Sequence, residues 1–265
     1  MKKFVCAAAV VALGALSVIG FGGCKAGEAV VEYTLSESGD YYIVSGVSGD
    51  RLGLTEYQVP ATYSATEGGE ELPVKEIGDE AFYECYDLTE ITIPDTIERI
   101  GALAFAKCRF TEFIIPDSVT EIAAGAFGMC DSLTEINVPA SVEKMGRMAF
   151  YCCTSLETAY VKGSIEVLEE KAFFNSVVSQ GGNVFTETSL TKLYLPASLE
   201  KIHVTALSGN AITDIYFAGS EEQWNSVYVF ENVKKEGTEN VYEEKKLQKT
   251  DGISASVKIH FDVEF

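Results

Sequence analysis

From about residue 74 to residue 218 the apolar positions recur in blocks of about twenty-three. One block reads "LTEITIPDTIERIGALAF", with close copies "FTEFIIPDSVTEIAAGAF" and "LTEINVPASVEKMGRMAF". Apolar Ile91 and Ile93 flank Thr92, an alternation that predicts a short strand with the aliphatics inward and Thr92 outward. Pro94 cannot donate to a strand ladder and ends it. Ile97 and Ile100 then line the core on the return path, and "GALAF" predicts a short helical or 3-10 turn on the outer side.

The register is carried by independent features. Phe82, Phe105, Phe127, Phe150 and Phe173 follow one another at steps of 23, 22, 23 and 23, each after an alanine. Cys85, Cys108, Cys130 and Cys153 each lie three residues beyond a phenylalanine. Of six prolines, Pro94, Pro116, Pro139 and Pro196 share one repeat position. No single block can bury its apolar face alone, so the blocks must stack. The expectation is an α/β solenoid over residues 74–218, with short strands on a concave side, short helical turns on a convex side, and β caps at the ends. Residues 24–73 read as a short tether and an N-terminal β cap over 30–63. Residues 219–265 read as a C-terminal cap. There Ser220 and Gln223 have capping-box spacing ahead of a helix around Trp224. A terminal strand over 257–265 puts Val257, Ile259, Phe261, Val263 and Phe265 on one face. The charged stretch 231–252 is expected to be a mobile loop. Phe173 to Leu190 is 17 residues where Phe127 to Leu133 is 6, so an insertion over 175–188 predicts an exposed excursion.

The L-x-x-L-x-L spacing of Leu88, Ile91 and Ile93, with the Ala-Phe and Pro positions, resembles the BspA-like leucine-rich-repeat family of surface and secreted proteins. The resemblance covers residues 74–218 closely and the flanks more weakly. "LPVKEIGDEAF" looks like the family's entry into its first full repeat, and "IYFAGSEEQWNSV" is similar to a common exit from its last. Leu207 stands where the last repeat should have phenylalanine. The resemblance implies recognition or adhesion at a cell surface.

The first residues have the layout of an export signal: Lys2 and Lys3, then an apolar run from Phe4 to Ile19. Phe21, Gly22, Gly23 and Cys24 resemble the lipobox of bacterial lipoproteins, which makes Cys24 the expected lipidation site and residues 1–23 the signal peptide. A retained membrane helix and simple cleavage with release fit the same segment, and all three outcomes export the rest. Removal of residues 1–23 takes away two lysines and no acid. The remainder carries 18 basic and 40 acidic residues, a net charge of −22. That charge argues against nucleic-acid partners and against docking on anionic lipid heads, and it favours solubility.

The four aligned cysteines cannot converge on one metal ion, because equivalent residues of neighbouring rungs lie in a line at about 4.8 Å spacing. Buried thiols are expected for them, with disulfides between neighbouring rungs as the alternative; Cys152 lies off register and is expected to be exposed or bonded to its neighbour. His203 and His260 have no nucleophile or metal-pair context, and His260 is read as a solvated surface residue. No phosphate loop is present, so neither catalysis, nor a metal, nor a cofactor is expected.

The ligand face is read from outward strand positions. The position of Thr92 gives Thr92, Ile114, Asn137, Tyr160, Tyr194 and Tyr216; its neighbour gives Glu90, Glu112, Glu135, Thr158, Lys192 and Asp214. Ile114, Tyr160, Tyr194, Tyr216 and Lys192 are the candidate ligand-binding residues on a face that runs from acidic to aromatic. Cross-strand tyrosines also stabilise a sheet with no ligand, so both readings stand. The expected protein is a lipid-anchored monomer on the outer side of a membrane or cell, with a protein ligand first and a glycan second. An envelope-proximal scaffold without an external partner is the alternative.

Overall fold

The computed structural model describes residues 29–175, 190–234, 242–248 and 251–265, with strand backbone also at 17–18, 177–178 and 184–185. Most repeats contribute two strand segments, and equivalent segments of successive repeats pair in parallel; the repeat of Ile114 has one strand and a single bridge in place of the other. On one side Glu135–Val138, Thr158–Val161, Lys192–Leu195, Asp214–Phe217 and Lys258–His260 form a five-stranded parallel sheet. Its rows keep repeat register, as in Asn137 opposite Tyr160 opposite Tyr194 opposite Tyr216. On the return path Leu72–Ile77, Arg99–Ile100, Glu121–Ile122 and Lys144–Met145 pair in the same way. Val167–Leu168, Lys201–His203 and Tyr228–Lys234 continue this pattern in a separate sheet.

The outer side differs from the expectation. The "GALAF" segments are neither α-helical nor 3-10; they are runs of turns. Within each run alternate residues donate in two directions. Ala104 N–H bonds back to Gly101, whereas Leu103, Phe105 and Lys107 donate across to Ala124, Ala126 and Gly128 of the next repeat. The cause is backbone handedness. Leu103 and Lys107 have φ of 54° and 68°, and Glu80, Glu84, Met129, Met148, Cys152 and Lys171 recur with positive φ in their own repeats. A positive φ interrupts any right-handed helix and swings the N–H toward the neighbouring rung. A third inter-rung ladder results where a helix was expected.

The core lies between these ladders. Phe82, Phe105, Phe127, Phe150 and Phe173 form a column of rings 5.3 to 5.4 Å apart, with interplanar angles of 6° to 23°. Each buried ring stabilises the stack by about 1.5–3 kcal/mol through removal of apolar area from water. Close approach of the rungs also restricts composition. A Cβ on Gly101 would lie 2.5 Å from the Gly78 carbonyl carbon, a backbone atom that cannot yield.

At the N-terminal end Val30–Leu35 and Tyr42–Ser48 form an antiparallel hairpin, whose second strand pairs in parallel with Leu72–Ile77. Ser17–Val18 pairs antiparallel with Tyr33 and Thr34. The rest of residues 1–28, including Cys24, lies outside the described residues. At the other end Ser220 caps the helix Glu221–Ser226: its hydroxyl accepts from Gln223 N–H, and the Gln223 side chain accepts from Ser220 N–H. Trp224 of this helix is buried against Phe217.

Within the stretch 231–252, expected to be a mobile loop, residues 231–234 and 242–247 are strand, and residues 235–241 and 249–250 lie outside the described residues. Tyr228–Lys234 and Tyr242–Leu247 pair antiparallel, with Lys245 bonded to Glu231 at 2.9 Å and Lys201 bonded to Glu244 across the sheet. The insertion after Phe173 carries a short antiparallel pair, Val177–Val178 with Val184–Phe185, and its other residues lie outside the described ones. Beyond it Leu190 is buried, and the outer ladder resumes through Phe173 N–H to Ala206.

Candidate functional site

The face made by outward residues of the first sheet is where the sequence placed a ligand. Its rungs are not uniform. Glu90–Thr92 pairs only with Glu56–Gln58, and among the described residues no ladder joins it to the next rung. That next rung carries Phe110 and Phe113, both buried, where the preceding one has Leu88 and Ile91. It contributes a single bridge, Ile114 to Asn137. Beside the bridge lies a hollow of about 360 Å³ lined by Glu112, Phe113, Ile114, Ile115, Thr134 and Glu135, with Asn137 at its edge. Ile114 is 85% exposed, the most open large apolar side chain among the described residues.

Beyond Asn137 the face becomes aromatic. Tyr160 and Tyr194 stack with centroids 4.4 Å apart, and Tyr194 and Tyr216 repeat that distance at an interplanar angle of 10°. The column has a fourth ring. Lys258–His260 pairs in parallel with Asp214–Phe217, which sets His260 opposite Tyr216 and stacks the two rings at 4.5 Å and 11°. His260 faces outward as its alternation suggested, with a side chain 41% exposed, but it is also stacked and bonded. It is half-buried, and its Nε2 lies 2.8 Å from Asp214 Oδ1. Asp214 also accepts from Thr213 Oγ1 at 2.7 Å. Those bonds, the one from His260 first, hold its carboxyl below the usual carboxylate range.

The terminal strand is shorter than expected. Pairing stops at His260; Asp262 takes a φ of 53°, and its N–H bonds to Gly219. This turn brings Phe265 back over the tyrosines, 5.2 Å from Tyr194 at 61° and 6.5 Å from Tyr160 at 43°. Both faces of Tyr194 are covered by Tyr160 and Tyr216, so Phe265 meets the edges of the stack. A positive ring edge against the negative face of another ring is a favourable pairing. Partial burial raises the Tyr160 hydroxyl above its ordinary value, with the Glu135 charge and Tyr194 adding to it.

The structure thus gathers Tyr160, Tyr194 and Tyr216 into one strip and puts Lys192 on the adjoining row of the same face, exposed and in no ion pair among the described residues. It sets Ile114 apart, two rungs away beside the acidic hollow. His260 and Phe265 were missed as members of the strip, whereas the repeat register already puts Asp214 on the adjoining outward row. The alternation over 257–265 signalled a strand, but the spacing alone did not say which strand it joins.

The cysteine column is interior. Cys108 Sγ donates to Phe82 O at 3.3 Å, Cys130 to Phe105 O at 3.2 Å and Cys153 to Phe127 O at 3.1 Å. Burial pushes the Cys85 thiol up to about 11 and those of Cys108, Cys130 and Cys153 further still. Cys152 is half-buried, and no disulfide joins it to Cys153.

Repeats in parallel register, few helices and an interior phenylalanine column define a leucine-rich-repeat protein. The family model of the BspA type leucine rich repeat region matches in six copies, over residues 75–180 and 175–236, and the chain belongs to that family, whose members generally mediate protein interactions. It is similar to a leucine-rich repeat protein from Bacteroides capillosus, 31% identical over 50% of this chain and 94% of that one, with a TM-score of 0.43. The pneumococcal vaccine antigen PcpA matches at 22% identity over 76% of this chain and 52% of that one, with a TM-score of 0.52, and shows the same fold. A leucine-rich repeat protein of T. pallidum is 23% identical over 65% of this chain and 81% of that one, with a TM-score of 0.48. Among curated proteins none matches the chain.

Proposed function

We propose that the protein is a non-catalytic, exported, membrane-anchored leucine-rich-repeat binding protein that holds a protein partner on its solenoid's strand face. The observation that carries this reading is the aromatic strip. Three tyrosines and a histidine occupy consecutive outward positions. Tyrosine joins contact area to a polar tip, and such residues dominate binding energy where proteins meet. The acidic rungs Glu90, Glu112 and Glu135 give the same face a polarity along its length. An anchor at Cys24 places the stack at the outer side of a membrane.

Glycan binding receives less support. A sugar ring packs on an open aromatic face, and the faces of Tyr194 and Tyr216 are covered by their neighbours. The envelope-proximal scaffold is favoured by one feature: the cap strand that starts at Val30 lies six positions after Cys24, a tether of at most about 20 Å. Changing Tyr160, Tyr194 and Tyr216 together to Ser is expected to abolish capture of partner protein from intact target cells while the thermal transition persists. Unchanged capture would make the strip structural. Protease accessibility on whole cells, with lipid labelling of wild type and Cys24→Ala, separates the two locations. A lipid-labelled but protected protein leaves only the scaffold.

A further inference from the structure

Phe265 is not part of the repeat core, yet it lies across the ring edges of Tyr194 and Tyr160. The segment that brings it there alternates acid and apolar residues: Asp262, Val263, Glu264, Phe265. It does not extend the sheet, because pairing ends at His260 and the chain turns at Asp262 through a positive φ. The bonds that hold it are few: Asp262 N–H to Gly219 O at 3.0 Å and Val263 N–H to Phe217 O at 3.4 Å. Asp262 and Glu264 are exposed, and Lys192 lies on the row beside Tyr194.

We infer that the tyrosine strip is a receptor for an aromatic side chain carried on a short peptide segment, and that residues 262–265 occupy this receptor in cis. The inference rests on the strand face being the binding face, and it adds the class of ligand and a built-in competitor. The stack itself dictates the chemistry. Ring faces inside the column are used up, so the strip offers outward a line of ring edges and hydroxyls. That rim accepts the face of another aromatic ring, as it accepts Phe265, and has no comparable complement for an aliphatic chain. Because the occupant is tethered, a partner must displace it, and its apparent affinity falls by the fraction of molecules in which the strip is open.

The test uses the full chain and its Phe265→Ala variant, whose folding is checked by thermal melting. The probe is an acetylated, amidated peptide Asp-Val-Glu-Phe, with Asp-Val-Glu-Ala as control, titrated while tyrosine ring protons are followed by NMR. Removal of Phe265 is expected to tighten binding of the Phe peptide by about tenfold if the strip is closed in about nine molecules of ten. The Ala peptide should not bind, and Tyr194→Ala added to Phe265→Ala should abolish the shifts. Nitration of Tyr194, mapped by mass spectrometry, should rise several-fold in Phe265→Ala relative to wild type. Equal nitration in both proteins together with no peptide-induced shift in Phe265→Ala overturns the inference. Loss of partner capture in the tyrosine triple variant alongside that negative result leaves the binding face standing and removes only this ligand class. Equal binding of the two peptides also overturns it.

Discussion

The buried thiols and His203 show how the same side chain changes character with its surroundings. A thiolate is the reactive form of cysteine, and burial in an apolar column penalises it. Cys85, held up at about 11, and the three thiols above it should resist iodoacetamide at pH 8, while half-buried Cys152 is alkylated first. Peptide mapping that finds Cys130 modified before Cys152 in the folded protein would contradict this. The raised values set the sign of the linkage: the column's contribution to stability is whole below the ordinary thiol pKa of about 8.5 and is lost as the pH rises toward 11 and beyond. His203 runs the other way. Burial lowers its imidazole below the ordinary value and outweighs the nearby Glu170, Glu169 and Glu231 carboxylates. Its Nδ1 accepts from Thr205 N–H at 3.2 Å, and its ring meets Phe230 edge-on at 5.2 Å. The unfolded chain takes up this proton first on acidification, so His203 contributes fully above about pH 6.5 and its contribution is lost as the pH falls below that. A Cε1 proton titration of His203 should have its midpoint under that of an exposed imidazole.

At the scale of the element, one repeat is a loop with three edges; the return path and the outer turns of the central repeats are hydrogen-bonded to both neighbours, whereas the inner strand ladder is interrupted between Glu90–Thr92 and the rung of Ile114. Phe127 sits at the centre of the phenylalanine column, between Phe105 and Phe150, and also contacts Phe113 at 4.8 Å. Phe127→Ala should cost about 3–5 kcal/mol, the range for truncating a buried aromatic in a packed core. Because coupling between repeats is nearest-neighbour, the denaturation curve should also split into two transitions rather than shift as one. A single shifted transition would show that the backbone ladders alone keep the halves together. The inner strand and the return path were legible from Ile91, Ile93, Pro94 and Ile100, because alternation and proline act locally. The outer segment was not. "GALAF" has the composition of a helix, and nothing in the letters shows that Leu103 and Lys107 adopt positive φ; that choice is imposed by the adjoining rung, which offers acceptors at Ala124 and Gly128.

Across the whole molecule, the register at Tyr160, Tyr194 and Tyr216 could be read by counting, since the repeat sets which positions align. What counting could not supply was the fourth ring. His260 joins the column only because a strand about forty residues beyond the last repeat returns to the sheet edge after the Tyr228–Leu247 hairpin. The same long connection hid Phe265. The charged stretch within that hairpin resembled a loop because Glu231, Lys245 and their neighbours pair across strands rather than along one. A partner for the strand face therefore meets a surface to which both the repeats and the C-terminal cap contribute.

The outer ladder of turns has a mechanical consequence. The hydrogen bonds from Leu103, Phe105 and Lys107 to the next rung run along the stack, as do those of the parallel strand ladders. A pull applied through the two ends of the stack loads each rung's bonds in turn, so the molecule should unzip instead of shearing at one clamp. Freeing one rung of 23 residues releases about 80 Å of extended chain. Single-molecule force traces are expected to show a sawtooth of near-equal increments, broken by one longer step where the insertion between Phe173 and Leu190 lengthens its rung. A single large rupture would mean that the ladders yield together. A protein tethered between two moving surfaces would in this way give ground a rung at a time.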